Sequence, residues 1–109
     1  MRYALLVYRD EAVDAGPEAE MRAALDAFTR ELGSRLIESA RLRPVATATK
    51  VQVREGGLVI ADGPFAETKE QIAGFFIVEC EDLDEAIEAA ARLPMARFGT
   101  IEVRPIWEM

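Results

Sequence analysis

The sequence predicts an α+β sandwich of ferredoxin-like type, an antiparallel sheet with two main helices on one face. Three observations carry this. Residues 3 to 8 and 73 to 80 are apolar on both faces, as central strands are. Only two segments have helical periodicity, too few to cover both faces of a sheet. The order reads strand, helix, hairpin, strand, helix, strand. One sheet face is therefore left open, and dimerisation is the expected way to hide it.

Tyr3 to Tyr8 form the first strand, and their odd spacing puts the two tyrosines on opposite faces. Gly16-Pro17 ends the loop that follows. Met21, Leu25, Phe28 and Leu32 then share one helical stripe, which Gly33 stops. Residues 34 to 47 have no clear period and read as an irregular or partly helical passage that buries Leu36, Ile37 and Leu42 and ends at Pro44. Thr47, Thr49, Val51 and Val53 alternate with polar or small residues, a strand with one wet face. Glu55-Gly56-Gly57 turns it back, so residues 47 to 61 form a hairpin. The apolar strand 73–80 follows. Asp82 and Glu85 then resemble a capping box opening a helix with Leu83, Ile87, Ala90 and Ala91 as its packing face. Pro94 closes that helix, and Thr100 to Ile106 is a last strand whose Pro105 belongs at an edge or strand end.

A chain of 109 residues, 50% hydrophobic, is sized for a single domain spanning 1–109 with one core. A net charge of −7 opposes a nucleic-acid or anionic-membrane partner, because phosphate affinity comes from clustered Lys and Arg. The one cysteine, Cys80, lies in an apolar run and reads as a buried thiol in a reducing cytoplasm. The amino-terminal apolar stretch is too short for a membrane span and reads as a strand rather than a signal peptide. With no histidine and one cysteine, zinc-site and Cys-His chemistry are excluded, and no Gly-rich phosphate motif or Asp-rich cation loop is present. No cofactor or metal is expected.

The run Asp62-Gly63-Pro64-Phe65, continued by Ala66-Glu67-Thr68-Lys69-Glu70-Gln71, is similar to the signature of the DGPF-domain group within the YCII-related proteins. Leu42-Arg43-Pro44, Thr47-Ala48-Thr49, Asp82-Leu83-Asp84-Glu85-Ala86 and the stretch Ala96 to Ile106 also resemble that group, so the likeness runs nearly end to end. It implies a ferredoxin-like fold that pairs as a dimeric α/β barrel. It supplies no reaction. Enzymatic activity in YCII-related proteins has been inferred from a histidine and aspartate pair near a cleft, and only the aspartate, Asp62, has a counterpart here. Relatives of the DGPF group also occur beside or fused to sigma factors, which implies a regulatory or interaction module as the alternative to a small-molecule-binding homodimer.

Two roles stand open for Asp62. An Asx turn is denied to it, because the amide two residues on belongs to Pro64. It can cap the amides of Phe65 or Ala66 as a turn staple. Alternatively, its carboxylate points into a cleft as general base or ligand acceptor. Lys69, Arg97 and Arg104 are the cations nearest the matching motifs and together would suit an anionic ligand or an oxyanion, against the ordinary alternative of exposed ion pairs. Arg104 and Glu102 share a strand face, which makes a lateral pair the simple account of both. Tyr8, at its strand's end, is the candidate hydroxyl donor. Trp107 is expected over a dimer seam or barrel mouth.

Overall fold

The structure, a computed structural model, describes residues 1–108. Its strands are β1 (Arg2–Arg9), β2 (Leu36–Arg41), β3 (Thr49–Arg54), β4 (Gly57–Asp62), β5 (Gln71–Glu79) and β6 (Thr100–Pro105); its helices are α1 (Glu18–Leu32) and α2 (Leu83–Arg92). Four strands make the main sheet in the order β2-β5-β1-β6, every pair antiparallel, while β3 and β4 pair only with each other. That order is the ferredoxin-like one, and the β3–β4 hairpin is an addition between its second and third strands.

The strand missing from the sequence reading is β2. It lies inside the passage 34–47, between 3-10 turns at Gly33–Arg35 and Val45–Thr47. As an edge strand it exposes all its residues but Leu36, so its sequence carries no period-two apolar signal. The expected burial of that passage is corrected accordingly: Leu36 packs against the core, whereas Ile37 and Leu42 are 41% and 43% exposed.

Register explains the layers. Tyr3, Leu5 and Val7 alternate onto one face of β1 and are buried with Phe28 and Leu32 of α1 and Ala86, Ala89 and Ala90 of α2. Both helices therefore cover the same face. Phe28 meets Phe76 edge-on, with centroids 5.3 Å apart and planes at 72°. Gly33 ends α1 as expected, at φ 54° with its N–H on the Thr29 carbonyl. Asp82 caps α2 through a 2.9 Å bond from the Glu85 N–H, but the Glu85 carboxylate does not complete the box; it pairs with Arg35 at 2.7 Å. The packing face of α2 also differs from expectation. Ala86, Ala89, Ala90 and Leu93 turn inward, whereas Leu83 and Ile87 are 48% and 49% exposed and Ala91 is exposed. Alanines let the helix approach the sheet closely, and the bulkier pair is left outside.

On the other face, Ala4, Leu6 and Tyr8 of β1 stand beside Ile77, Phe75 and Ile72 of β5, with no helix over them. The hairpin turns at Glu55 and Gly56, both with positive φ, in the manner of a two-residue hairpin turn. A strand with one dry face was expected there, yet Val51, Val53, Leu58 and Ile60 are 60–65% exposed. The ribbon stands out from the body, and the radius of gyration is 15.8 Å against about 13 Å for a compact chain of this size.

Candidate cleft at the root of the hairpin

A bulge builds the floor of a cavity at the root of the hairpin. Between Val7 and Tyr8 the β1–β5 register skips one residue, Ala73, which packs toward the core; Tyr8 then pairs with Ile72 on the open face. The Ala73 carbonyl accepts from the Leu42 N–H at 2.8 Å, leading the chain out of β2 along the same spot. On the far side Tyr8 pairs with Thr100, and this close approach needs a glycine before it, since a Cβ on Gly99 would lie 2.3 Å from the Tyr8 carbonyl oxygen. Tyr8 and Ile72 thus floor a cleft of about 570 Å³ whose walls are the loop from Leu42 to Ala48, the first half of β3 and the turn after β4.

That turn is the Asp62-Gly63-Pro64-Phe65 segment, and Gln71 is the residue that ties it together. Gly63, at φ 99°, donates its N–H to the Ala48 carbonyl at 2.8 Å, anchoring the turn to the loop before β3. The Gln71 side-chain amide reaches the carbonyls of Ala66 at 2.6 Å and Thr68 at 3.0 Å, and the Thr68 hydroxyl donates to the Glu70 carbonyl at 2.6 Å. Beside it, Thr100 Oγ1 donates to Glu70 Oε1 at 2.7 Å, fastening the turn to the edge of the main sheet. Across the cleft Glu11 Oε2 accepts the Val45 N–H at 2.8 Å, which ties the loop after β1 to the opposite wall.

The sequence-chosen residues fall in different places. Tyr8 lines the cleft, as does Gly63, but Asp62 does not. Asp62 is exposed opposite Thr49 at the end of β4, and its carboxylate has no hydrogen-bond or ion-pair partner among the described residues. Lys69 is exposed between the lining residues Thr68 and Glu70. Arg97 lines a separate groove on the helical side, with Phe28, Glu31 and Arg92. Arg104, opposite Ala4, pairs with Glu102 at 3.6 Å, the lateral pair its spacing suggested. Among the described residues these three cations are not brought together in either groove. The charged groups that do share the cleft are Glu70, Lys50 and Arg43, none in an ion pair among the described residues. Sequence reasoning singled out none of the three as a site residue, although Glu70 and Arg43 both lie in family-like runs.

Elsewhere the electrostatics are structural. Burial pushes the Cys80 thiol up from its ordinary value, in keeping with a side chain 3% exposed. Burial likewise raises the Tyr3 phenol, and the 2.7 Å pair with the amino terminus lowers the Glu79 carboxyl.

The family model for the YCII-related domain matches residues 1–109. The chain belongs to that family. It is also 39% identical over 114 residues to an uncharacterized protein of Rhizobium meliloti (strain 1021), covering 97% of this chain and 92% of that protein. Family membership fits the antiparallel sheet with two helices and names no reaction. In this YCII-related chain no group of His, Cys, Asp and Glu among the described residues is placed to hold a metal ion, and no helix of the described residues is long and apolar enough to cross a membrane.

Proposed function

We propose that this YCII-related protein is a cytoplasmic homodimer of the DGPF type that binds a small molecule in the hairpin cleft. The observation that carries the reading is the cleft itself, floored by Tyr8 and Ile72 where the sheet is uncovered and large enough for a metabolite. Tyr8 supplies a hydroxyl with no hydrogen-bond partner among the described residues. Asp62 is the rim acid: it is exposed, uncapped and one residue from the lining, so it can reach a bound ligand and serve as proton acceptor. Lys69 extends the same rim. Arg104, beside Ala4 on the open face, joins the site only if a second copy brings it there on the barrel-like pairing of open sheet faces, whereas Arg97 on the helical side stays outside that pairing.

A thermal-shift screen of metabolites tests this reading. A compound that stabilises the wild type and is weakened by Tyr8→Phe supports it; a screen in which no compound distinguishes the two proteins argues against it.

The exposed apolar side of the hairpin favours a second reading, a non-catalytic interaction or regulatory module that acts with a sigma factor. Co-purification of a sigma factor that is lost on placing a lysine at Val53, with no cleft ligand found, would favour it over the first.

A further inference from the structure

Opposite charges stand on the two walls of the hairpin cleft without meeting. On the sheet side Glu70 is partly buried, with Oε1 held by Thr100 at 2.7 Å and Oε2 free among the described residues. Thr100 is in register with Tyr8, so the carboxylate is anchored to the row of the sheet that floors the cleft. On the hairpin side Lys50 is held in place by the β3–β4 ladder, where it pairs with Ala61, and Arg43 precedes Pro44 in the loop. Glu11, the acid tied to that loop, accepts the Val45 amide and pairs with neither cation among the described residues.

Glu70, Lys50 and Arg43 line one cavity of about 570 Å³ and form no ion pair with one another among the described residues. The apolar Ile72, Pro64 and Val45 line the same cavity. A ligand carrying only a carboxylate leaves Glu70 uncompensated beside another anion. One carrying only an ammonium does the same to Lys50 and Arg43. Resting on the reading of this cleft as a small-molecule site, we infer that it takes a small zwitterion with an apolar body, of the class of the aliphatic and aromatic amino acids. The ammonium sits at Glu70, the carboxylate at Lys50 and Arg43, and the apolar side chain over Ile72 and Pro64.

NMR titration of the full chain with L-leucine and L-phenylalanine, beside isoamylamine and 4-methylpentanoate as single-charge analogues, tests the inference. At least one amino acid should shift the amides of Tyr8, Lys50 and Ile72 saturably and bind about tenfold or more tightly than either analogue. Glu70→Gln should weaken the amino acid by at least about tenfold and leave 4-methylpentanoate unweakened or bound more tightly, while Lys50→Met should leave isoamylamine unweakened or bound more tightly. Circular dichroism of both variants checks that they fold. Analogues that bind as well as the amino acids, or no saturable shift with either amino acid, overturn the inference. A metabolite that binds these amides without regard to Glu70 removes the zwitterion assignment and leaves the small-molecule reading standing. If neither these probes nor a metabolite panel moves the cleft amides, both fall.

Discussion

Val51 and Ile60 face each other across the β3–β4 ribbon, 62% and 60% exposed, and the next pair on that side, Val53 and Leu58, is equally bare. Four aliphatic side chains on one side of a two-stranded ribbon make an apolar surface that a monomer rarely carries, and an isolated ribbon is itself marginal in water. The wild type should therefore sediment as a dimer at micromolar concentration. Substituting lysine at both Val53 and Leu58, near the tip and outside the cleft, should shift it to monomer with the melting behaviour of the sheet core retained. A monomeric wild type would show that the ribbon is covered in some other way.

The core prediction separates the two helices. Phe28, 2% exposed and edge-on to Phe76, should cost about 3–5 kcal/mol when cut to alanine. Ile87→Ala, on the exposed side of α2, should cost about 1 kcal/mol or less. Urea unfolding measures both, and an Ile87→Ala cost near that of Phe28→Ala would restore the helix face read from the sequence.

Why that face was misread is physical. A hydrophobic-stripe argument favours Leu83 and Ile87 over alanine, yet close helix–sheet approach selects the small residues Ala86, Ala89 and Ala90, and leucine enters only at Leu93. The α1 stripe was legible because Phe28 and Leu32 are both large and inward. Strands β1 and β5 were legible because they are apolar on both faces; β2 was not, because an edge strand buries almost nothing. In the site, Tyr8 could be picked out because parity separates it from Tyr3 and it stands at its strand's end. Glu70, Lys50 and Arg43 could not, since their sharing of one cleft depends on where the root of the added hairpin lies beside the sheet, a long-range relation with no local periodicity.

Two aspartates that look alike in sequence should behave differently. Asp82 accepts the Glu85 amide, so Asp82→Ala should cost about 0.5–2 kcal/mol, the usual loss for an N-cap. Asp62 is exposed and takes no such bond, so Asp62→Ala should change stability by no more than about 0.5 kcal/mol. Equal losses in denaturant unfolding would mean that Asp62 staples its turn after all. Ligand affinity or turnover that falls in Asp62→Asn at unchanged stability would assign the acid to the site.

Cys80 gives a test by chemistry. Its thiol is buried and raised from its ordinary value, so a disulfide reagent at mildly alkaline pH should label the native protein at least an order of magnitude more slowly than the denatured one. The unfolded chain gives up this proton first, so stability should fall as the pH rises through the ordinary thiol range, an effect that Cys80→Ala removes. Rapid native labelling would place Cys80 outside the core.

The central claim, that the cleft floored by Tyr8 is where a ligand binds, is tested most directly by mapping amide shifts for any compound that raises the melting temperature. The expected result is saturable movement of Tyr8, Gly63 and Ile72, with affinity reduced in Tyr8→Phe. Shifts confined to the groove around Phe28 and Arg97, with Tyr8→Phe binding as the wild type does, would contradict it.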